Sequence, residues 1–510
     1  MIRFIPPSVE NEQFINFGAA LADNAVRFAD KPAVILPDRQ VSWAEFGALV
    51  ARVAGRLHRE GIGRGTFVAT LAENSLENVV IYCATLATGA CIVPLPFSAT
   101  PEALERMVAD SRAALLFASP TQRAVAEGLG APQVLDLSTL LDWAAAADPI
   151  PAAEIAPEDL FNIIYSSGTT GLPKGILHDH RFRSRQLSRV TRFGLNETSR
   201  LIISTPIYSN TTLFGLLPTL MLGATLVVMP KFNTVEFLRL SQDHKVTHAI
   251  LVPVQYMRLM AEPAFDDYDL SSYACKFSTS APLPGKLIAQ IMARWPGNLI
   301  EVYGMTEGGI STALNCGAFP DKWDTVGRPG EGVDMRVIDE AGQELRQGAF
   351  GELVGRGPSM MPAYHNLPDK TSELLWQDAE GHHFIRSGDM GRIDEDGFIH
   401  LMDRKKDMII SGGFNIYAAD LEAVLRQHPE VADTAVIAVP SEAWGETPLG
   451  FVVLADGATA TAAELRDWAN ARLGKTQRLT DVVLMEALPR SEIGKVLKRD
   501  LRAPYWQGRE

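Results

Sequence analysis

The most informative part of the sequence is the stretch Tyr165-Ser-Ser-Gly-Thr-Thr-Gly-Leu-Pro-Lys174-Gly175. An apolar run over residues 161–165 predicts a strand, and it leads into residues that are nearly all small or hydroxylated. Glycines let the backbone approach a ligand closely, and Lys174 adds a mobile positive charge. The stretch therefore predicts a loop that binds polyphosphate with hydroxyls, backbone N–H groups and one ammonium.

The spacing within this loop differs from G-x-x-x-x-G-K-[ST], which excludes the ordinary P-loop. A flexible linker without a ligand is the alternative interpretation, but Pro173-Lys174-Gly175 is poorly suited to a flexible linker.

The composition describes an acidic globular protein with more than one domain. The chain has 510 residues and a formal net charge of −14, which disfavours a nucleic-acid-binding surface. We expect the basic side chains that meet anionic ligands to be concentrated locally. The N-terminus does not resemble a signal peptide, and no apolar run approaches the length of a membrane span. The scattered cysteines indicate reduced core thiols in a cytoplasmic protein; they are Cys83, Cys91, Cys275 and Cys316.

The first two thirds of the chain alternate between strand and helix patterns. Ser42-Trp-Ala-Glu45 is a capping-box pattern that predicts a helix start. Strands are predicted over 67–71 and 91–95, with a helix over 76–86 between them. This alternation predicts mainly parallel sheets covered by helices. Further predicted strands span 113–117, 201–204, 225–229, 248–252, 275–279 and 299–302.

The pattern changes after Trp323, where glycines become frequent and an antiparallel, barrel-like region is predicted. Asp396-Gly397 is a strong hairpin signal between two of its strands. The strands predicted here span 333–338, 351–355, 384–385 and 398–402.

A charge run over 403–407 separates this region from a small α+β C-terminal part. There the pattern predicts helices over 418–427 and 462–473 and strands over 434–439, 451–454 and 482–485. We place the domain boundary at this run, with an N-terminal domain over 1–405 and a mobile C-terminal domain over 406–510.

Several short motifs occur in a fixed order along the chain. They are Ser278-Thr-Ser-Ala-Pro-Leu283, Tyr303-Gly-Met-Thr-Glu307, Ser387-Gly-Asp389, Asp403-Arg-Lys-Lys-Asp407, Ser411-Gly-Gly413 and Pro489-Arg-Ser-Glu-Ile-Gly-Lys495. With the opening loop, this ordered set resembles the adenylate-forming superfamily of acyl-CoA synthetases, peptide-synthetase adenylation domains and luciferases. The resemblance covers nearly the whole chain and is closest to the acyl- and aryl-CoA ligases.

The resemblance implies a two-step reaction that uses ATP, Mg²⁺ and coenzyme A. A carboxylate attacks the α-phosphorus of ATP to give acyl-AMP and pyrophosphate, and the coenzyme A thiol then displaces AMP. The first step brings two anions together, so the protein must neutralise phosphate charge and align the reactants.

The resemblance also implies a role for individual residues. Thr306 and Glu307 would serve the triphosphate and Mg²⁺, and Lys495 would bridge the carboxylate and the α-phosphate. Lys406 would be the hinge, and Gly412 and Gly413 would face the pantetheine arm. The implied nucleotide-binding set is Ser166, Ser167, Gly168, Thr169, Thr170, Gly171, Lys174, Ser280, Ala281, Pro282, Tyr303, Gly304, Asp389 and Arg404. The implied acyl pocket is Tyr208, Ser209, Leu213, Ser278, Val302 and Ile310.

The residue types suit these roles, although each has a simpler alternative. Mg²⁺ prefers one or two carboxylates together with phosphate oxygens, which fits Glu307. A carboxylate such as Asp389 can accept from both ribose hydroxyls, and the planar fork of Arg404 suits ribose and phosphate. The alternatives are a surface carboxylate for Glu307, a turn cap for Asp389, a solvated charge for Arg404, a core tyrosine for Tyr303 and a surface lysine for Lys495.

The sequence departs from the family pattern at three positions. Ser209 stands where relatives often carry His, Phe414 where many have Glu, and Ala418 where many have Pro. These departures affect the expected contacts with the acid and coenzyme A, and they leave the adenylation residues in place.

The principal hypothesis is therefore an AMP-forming carboxylic acid–CoA ligase, a monomer or homodimer, acting on an aryl, cinnamate-like or medium-chain fatty acid. One alternative is an acyl-AMP ligase that loads a carrier protein, and another is an inactive nucleotide-binding regulator. The implied acyl pocket carries no fixed cation, which disfavours a dicarboxylate.

Overall fold

The structure is a computed structural model that describes residues 3–10, 12, 14–166, 173–404, 407–411, 414–441, 444–474, 477–491 and 494–506. It has a mixed α/β fold. The helices are α1 Phe17–Arg27, α2 Trp43–Arg59, α3 Leu76–Ala87, α4 Pro101–Ser111, α5 Arg123–Glu127, α6 Leu140–Trp143, α7 His180–Thr191, α8 Asn210–Met221, α9 Thr234–Asp243, α10 Pro253–Ala261, α11 Gly285–Arg294, α12 Pro368–Glu373, α13 Ala418–Leu425, α14 Ala462–Asn470 and α15 Lys498–Trp506.

The strands alternate with these helices over the first three hundred residues or so and then follow one another directly. They are β1 Pro32–Ile35, β2 Gln40–Ser42, β3 Phe67–Leu71, β4 Cys91–Pro94, β5 Leu115–Ala118, β6 Val134–Asp136, β7 Leu160–Ser166, β8 Lys174–Asp179, β9 Arg200–Ile203, β10 Thr225–Val228, β11 His248–Leu251, β12 Cys275–Thr279, β13 Asn298–Gly304, β14 Ser311–Asn315, β15 Arg328–Pro329, β16 Asp334–Ile338, β17 Gly351–Arg356, β18 Leu375–Gln377, β19 His383–Ile393, β20 Ile399–Arg404, β21 Ile409–Ser411, β22 Phe414–Ile416, β23 Val431–Ser441, β24 Gly445–Leu454 and β25 Asp481–Leu484.

Two mainly parallel sheets confirm the predicted α/β part. One has the order β6-β5-β3-β4-β7-β8, with parallel pairing from β6 to β7 and antiparallel pairing between β7 and β8. The other has the order β15-β14-β13-β12-β11-β9-β10-β1-β2, with parallel pairing from β13 to β1 and antiparallel pairing at both ends. Buried apolar side chains on both faces suit strands that helices cover.

The predicted antiparallel region is a curled half-barrel with strand order β16-β17-β19-β18, with β20 paired to β19. Strand β19 runs over eleven residues, far longer than the predicted 384–385. Gly388 has φ +68°, and the register shifts between Met390 and Gly391, so the strand bends and continues where the sequence suggested a turn. The Asp396-Gly397 hairpin is confirmed: it joins β19 to β20, and Gly397 has φ +83°.

The chain forms two compact units, which are residues 1–335 with 355–385, and residues 336–354 with 386–510. The second unit contains the sheet β22-β21-β24-β23, with β25 paired to β24. Helix α14 ends three residues earlier than predicted, and at its end the Asn470 side chain hydrogen-bonds both backbone groups of Leu479. No helix in the described ranges is long and apolar enough to cross a membrane.

Local sequence signals start several elements as predicted. Ser42 caps α2, and both hydrogen bonds of its capping box with Glu45 are present. Gly61, just past the end of this helix, has φ +79°, a conformation that glycine adopts without strain.

Candidate active site

The glycine- and hydroxyl-rich loop connects two antiparallel strands. Strand β7 ends at Ser166 and β8 begins at Lys174, and these two residues are directly paired across the hairpin. Of the predicted phosphate-loop residues, Ser167, Gly168, Thr169, Thr170 and Gly171 lie outside the described residues. The hairpin thus holds Ser166 and Lys174 side by side at the mouth of the loop.

Gly175 allows another segment to pack against this hairpin. A Cβ atom there would lie 2.9 Å from Ile163 Cγ2 and 3.2 Å from His365 Cβ. The backbone N–H of His365 donates to the Gly175 carbonyl at 2.7 Å. The segment 363–365 therefore lies directly beside β8, and it brings Tyr364 to the site.

Tyr364 connects the predicted phosphate lysine to the predicted metal ligand. Its hydroxyl donates to Glu307 Oε1 at 2.7 Å, and Lys174 Nζ lies 5.4 Å from its ring centroid. Burial, followed by the nearby Glu307 carboxylate, raises the pKa of Tyr364 above its ordinary value. The hydroxyl thus stays protonated and donates, which leaves Oε2 of Glu307 as the oxygen that a cation would meet first.

The turn that carries Thr306 and Glu307 follows strand β13 and is held by backbone contacts. The Glu307 carbonyl accepts from the Met361 N–H at 2.8 Å. Gly308 has φ +76°, and a Cβ atom on it would lie 2.3 Å from the Ser359 carbonyl oxygen. Only glycine fits this position without displacing the backbone, so the turn that follows Glu307 is fixed in place.

A buried polar cluster lies behind this turn. Asn162, His178 and Arg183 are fully buried, and they come from β7, β8 and α7. His178 Nε2 lies 2.7 Å from the Thr306 carbonyl oxygen, and its Nδ1 lies 2.8 Å from Arg183 Nη2. Burial, and then the Arg183 charge, lower the pKa of His178 well below its ordinary value, so the ring is neutral.

The segment Ser280-Ala-Pro282 of the implied nucleotide-binding set contains a strained residue. Ser280 has φ +78°, which side-chain-bearing residues rarely adopt, and its Oγ lies 2.7 Å from Thr211 Oγ1. Ala281 is half-buried and Pro282 is exposed. Beneath the segment, Glu301 Oε1 accepts from the Leu283 N–H at 2.9 Å, and burial raises the pKa of Glu301 to about 8.

Two further residues of the implied nucleotide-binding set, Tyr303 and Gly304, lie at the end of β13. Tyr303 is half-buried and pairs with Thr312 of β14, while Gly304 pairs with Ser311. A Cβ atom on Gly304 would lie 2.9 Å from the Ile310 carbonyl oxygen, so the two strands approach closely there.

The predicted acyl-pocket residues are distributed over α8 and the ends of β12 and β13. Ser209 is the N-cap of α8, and its hydroxyl accepts from the Thr211 N–H at 3.2 Å. Tyr208 OH lies 3.2 Å from Ser98 Oγ. Leu213 and Ile310 are buried and Val302 is half-buried. The hydroxyl of Ser278 is buried and has no hydrogen-bond partner among the described residues.

The second unit brings the two predicted ribose residues into register. Asp389 of β19 pairs with Arg404 of β20, because the Asp396-Gly397 hairpin turns the chain back on itself. The Asp389 N–H donates to Ser387 Oγ at 2.9 Å, and the Ser387 hydroxyl donates to the Leu353 carbonyl at 2.7 Å. The predicted hinge Lys406 and the predicted pantetheine-facing Gly412 and Gly413 lie outside the described residues.

Lys495 lies in a tight turn of the second unit. The Ser491 N–H donates to the Lys495 carbonyl at 2.8 Å, and the Lys495 N–H donates to Ser491 Oγ at 3.2 Å. Arg490 also donates to the Gly494 carbonyl and to the Asp433 carboxylate. This turn is therefore fixed to β23, and it presents a half-buried Lys495.

Sequence reasoning missed Tyr364, His178 and Arg183. Tyr364 lies in an irregular segment without a periodic pattern. The signal for the buried cluster was Asn162, a polar residue inside an apolar strand, because a buried polar group needs partners.

Comparisons with known proteins agree with this fold. The family model described as "AMP-binding enzyme" matches residues 21–365, and the "AMP-binding enzyme C-terminal domain" model matches residues 420–495. An indoleacetate–CoA ligase from Aromatoleum aromaticum is 30% identical and covers 92% of this chain and 94% of its own length. A feruloyl-CoA synthase from an Amycolatopsis species is 32% identical and covers 91% and 94%, respectively.

A solved structure has the same fold. The crystal structure of ATP-bound MatB from Rhodopseudomonas palustris superposes with a TM-score of 0.88 at 31% identity, covering 97% of this chain and 99% of its own. The fold and these similarities thus define an adenylate-forming enzyme. The chain belongs to the AMP-binding enzyme family, within the adenylate-forming superfamily of acyl- and aryl-CoA synthetases. Enzymes of this class are AMP-forming acid–thiol ligases, with ATP and coenzyme A as substrates.

Proposed function

We propose that this protein is an ATP- and Mg²⁺-dependent ligase that joins an apolar carboxylic acid to coenzyme A through an acyl-AMP intermediate. The observation that carries the proposal is the cluster of Lys174, Tyr364 and Glu307 at the mouth of the β7–β8 hairpin. A cation for phosphate and a carboxylate for a metal lie on either side of one tyrosine. This arrangement suits a metal-bound triphosphate.

The residues present fit Mg²⁺. Tyr364 holds one oxygen of Glu307, and Thr306 directly precedes Glu307 in the chain. A single carboxylate suffices for Mg²⁺ because phosphate oxygens and water complete its coordination. When bound, Mg²⁺ neutralises phosphate charge and orients the triphosphate.

We propose the following roles for residues of this chain in the two steps of the reaction. Ser166, Thr169, Thr170 and Lys174 bind the β- and γ-phosphates, and Lys495 stabilises the charge that develops as the carboxylate oxygen attacks the α-phosphorus. Pyrophosphate leaves. The thiol sulfur of coenzyme A then attacks the acyl carbon, its proton passes to solvent, and AMP departs with its oxygen.

The remaining assignments follow the same scheme. Asp389 and Arg404 bind ribose, which their direct pairing in β19 and β20 supports. Tyr303, with the segment Ser280-Ala-Pro282, flanks adenine. We place the domain boundary at 405/406, with Lys406 as the hinge and Gly412 and Gly413 against the pantetheine arm, so that the C-terminal domain turns between the two steps.

For the acid we propose an aryl or cinnamate-like acid or a medium-chain fatty acid. Of the predicted pocket residues, Val302 offers half-buried apolar surface, Leu213 and Ile310 are fully buried, and the buried hydroxyl of Ser278 is one polar group without a hydrogen-bond partner among the described residues. Relatives that act on indoleacetate and feruloyl groups support an aromatic body.

The test is pyrophosphate release with a panel of aryl, cinnamate-like and aliphatic acids, with and without coenzyme A. We expect acid-dependent pyrophosphate release, with AMP and an acyl thioester when coenzyme A is present. Acyl-AMP that reacts only with a carrier protein would overturn the choice of acceptor. Absence of acid-dependent pyrophosphate release with any acid would overturn the catalytic assignment.

A further inference from the structure

The buried cluster behind the Thr306–Glu307 turn is a hydrogen-bond network centred on Arg183. Arg183 Nε donates to Asn162 Oδ1 at 2.9 Å, and Nη2 donates to His178 Nδ1 at 2.8 Å. Nη1 donates to Gln186 Oε1 and to Asn210 Oδ1, each at 2.9 Å. A buried guanidinium surrounded by these neutral acceptors is costly unless its hydrogen bonds are well made.

These contacts determine which histidine nitrogen carries the proton. Arginine can only donate, so His178 Nδ1 must accept. Because Asn162 Oδ1 accepts from Arg183, the amide nitrogen of Asn162 faces His178 Nδ1, at 3.1 Å. The ring proton therefore lies on Nε2, which donates to the Thr306 carbonyl at 2.7 Å. A guanidinium at the opposite nitrogen polarises the ring and strengthens this donor.

The acceptor of this hydrogen bond belongs to the peptide that links Thr306 to Glu307. A peptide is planar, so fixing its carbonyl also fixes the direction of the Glu307 N–H. Glu307 is then held through His178 on the preceding carbonyl, through the Met361 N–H on its own carbonyl, and through Tyr364 on Oε1. The contacts from His178 and from the Met361 N–H are both made to backbone carbonyl groups. Of these two contacts, the one from His178 is made by a side chain.

We propose that His178, oriented by Arg183 and Asn162, is a positioning residue for adenylation: its Nε2–H fixes the Thr306–Glu307 peptide so that the Glu307 carboxylate is presented to the metal-bound triphosphate. The assignment rests on the proposed function of Glu307. It implies that losing the Nε2 contact impairs the first half-reaction and leaves the second unchanged.

Two substitutions distinguish a positioning role of His178 from a role in packing alone. In His178→Asn the amide can accept from Arg183 in place of Nδ1, but it cannot reach the Thr306 carbonyl. In His178→Gln the amide nitrogen falls near the former Nε2 and can donate to that carbonyl. His180→Asn is the matched control, because His180 is equally buried and neither of its ring nitrogens has a hydrogen-bond partner among the described residues.

The first measurement is each half-reaction under single-turnover conditions. For His178→Asn we expect acyl-AMP formation to fall by roughly thirtyfold, equivalent to about 2 kcal/mol. We expect thioester formation from prepared acyl-AMP to stay within about threefold of wild type. His178→Gln should recover most of the first step, and His180→Asn should change the two steps equally or not at all.

The second measurement is calorimetric binding of Mg²⁺ with α,β-methylene-ATP, which cannot be cleaved. We expect His178→Asn to weaken binding by roughly tenfold and His178→Gln by much less. This measurement tests the positioning role of His178 separately from the proposed ligase activity, because nucleotide binding can be measured even if the wild-type protein activates no acid. Equal losses in both half-reactions for His178→Asn, unchanged nucleotide binding, or an identical effect of Asn and Gln would each overturn the positioning role.

Discussion

The substitution Glu307→Gln removes the charge from the proposed metal ligand while keeping its hydrogen bond. Tyr364 donates to Oε1 at 2.7 Å, and the amide oxygen of glutamine can accept the same bond. The contact between the Met361 N–H and the residue 307 carbonyl is a backbone contact at 2.8 Å, so it is unaffected. We therefore expect the variant to fold with the turn in place.

The expected loss in the rate of acyl-AMP formation depends on the group that replaces Oε2 of Glu307. The amide NH₂ group is a donor and cannot coordinate a cation. Interactions with a charged group in a partly enclosed site are worth roughly 1.5–3 kcal/mol. We expect acyl-AMP formation to slow by a factor on the order of a hundred or more, which corresponds to about 3 kcal/mol.

The assay is single-turnover acyl-AMP formation at increasing Mg²⁺ concentrations. Raised Mg²⁺ should recover part of the lost rate, because occupancy of a weakened site depends on concentration. Tyr364→Phe is the control that keeps the charge and removes the hydrogen bond, and we expect a smaller loss, about 1.5 kcal/mol. Wild-type rates for Glu307→Gln at limiting Mg²⁺ would refute the assignment of Glu307 as a metal ligand.

Three further changes test other parts of the proposal. Lys495→Ala should slow acyl-AMP formation roughly a thousandfold, about 4 kcal/mol, while prepared acyl-AMP still reacts with coenzyme A at nearly the wild-type rate; equal losses in both steps would contradict domain rotation. Lys406→Pro fixes φ at the proposed hinge, so adenylation should survive and thioester formation should collapse; an unchanged second step would place the hinge elsewhere. Glu301→Gln should raise the thermal midpoint more at pH 9 than at pH 5. The folded protein keeps the Glu301 pKa at about 8, so wild-type stability falls as pH rises through that value; a midpoint difference independent of pH would contradict this.

Much of the fold was predictable because the signals are local. Strands β3 and β12 have the predicted bounds, and the Ser42 capping box starts α2. Apolar periodicity, cap residues and hairpin glycines act over a few residues, so they can be interpreted before any tertiary contact is known. The order of the motifs indicated the family for the same reason: each motif is a short segment, and several directly follow a predicted strand.

The sequence did not show which strands become neighbours or how the site is supported. Lys174–Asp179 is a strand antiparallel to β7, and Tyr364 reaches Glu307 from a segment more than fifty residues further along the chain. His178 is a polar residue that follows Ile176 and Leu177, and only the tertiary structure places it against the Thr306 carbonyl and beside Arg183 of α7.

The physical reason is that a buried polar side chain is specified by its partners. The sequence determined which residues can donate, accept or carry charge, and it determined the helices and strands through short-range preferences. Tertiary packing decided which donor meets which acceptor, because that depends on strand order and on the burial that makes an unmatched polar group costly.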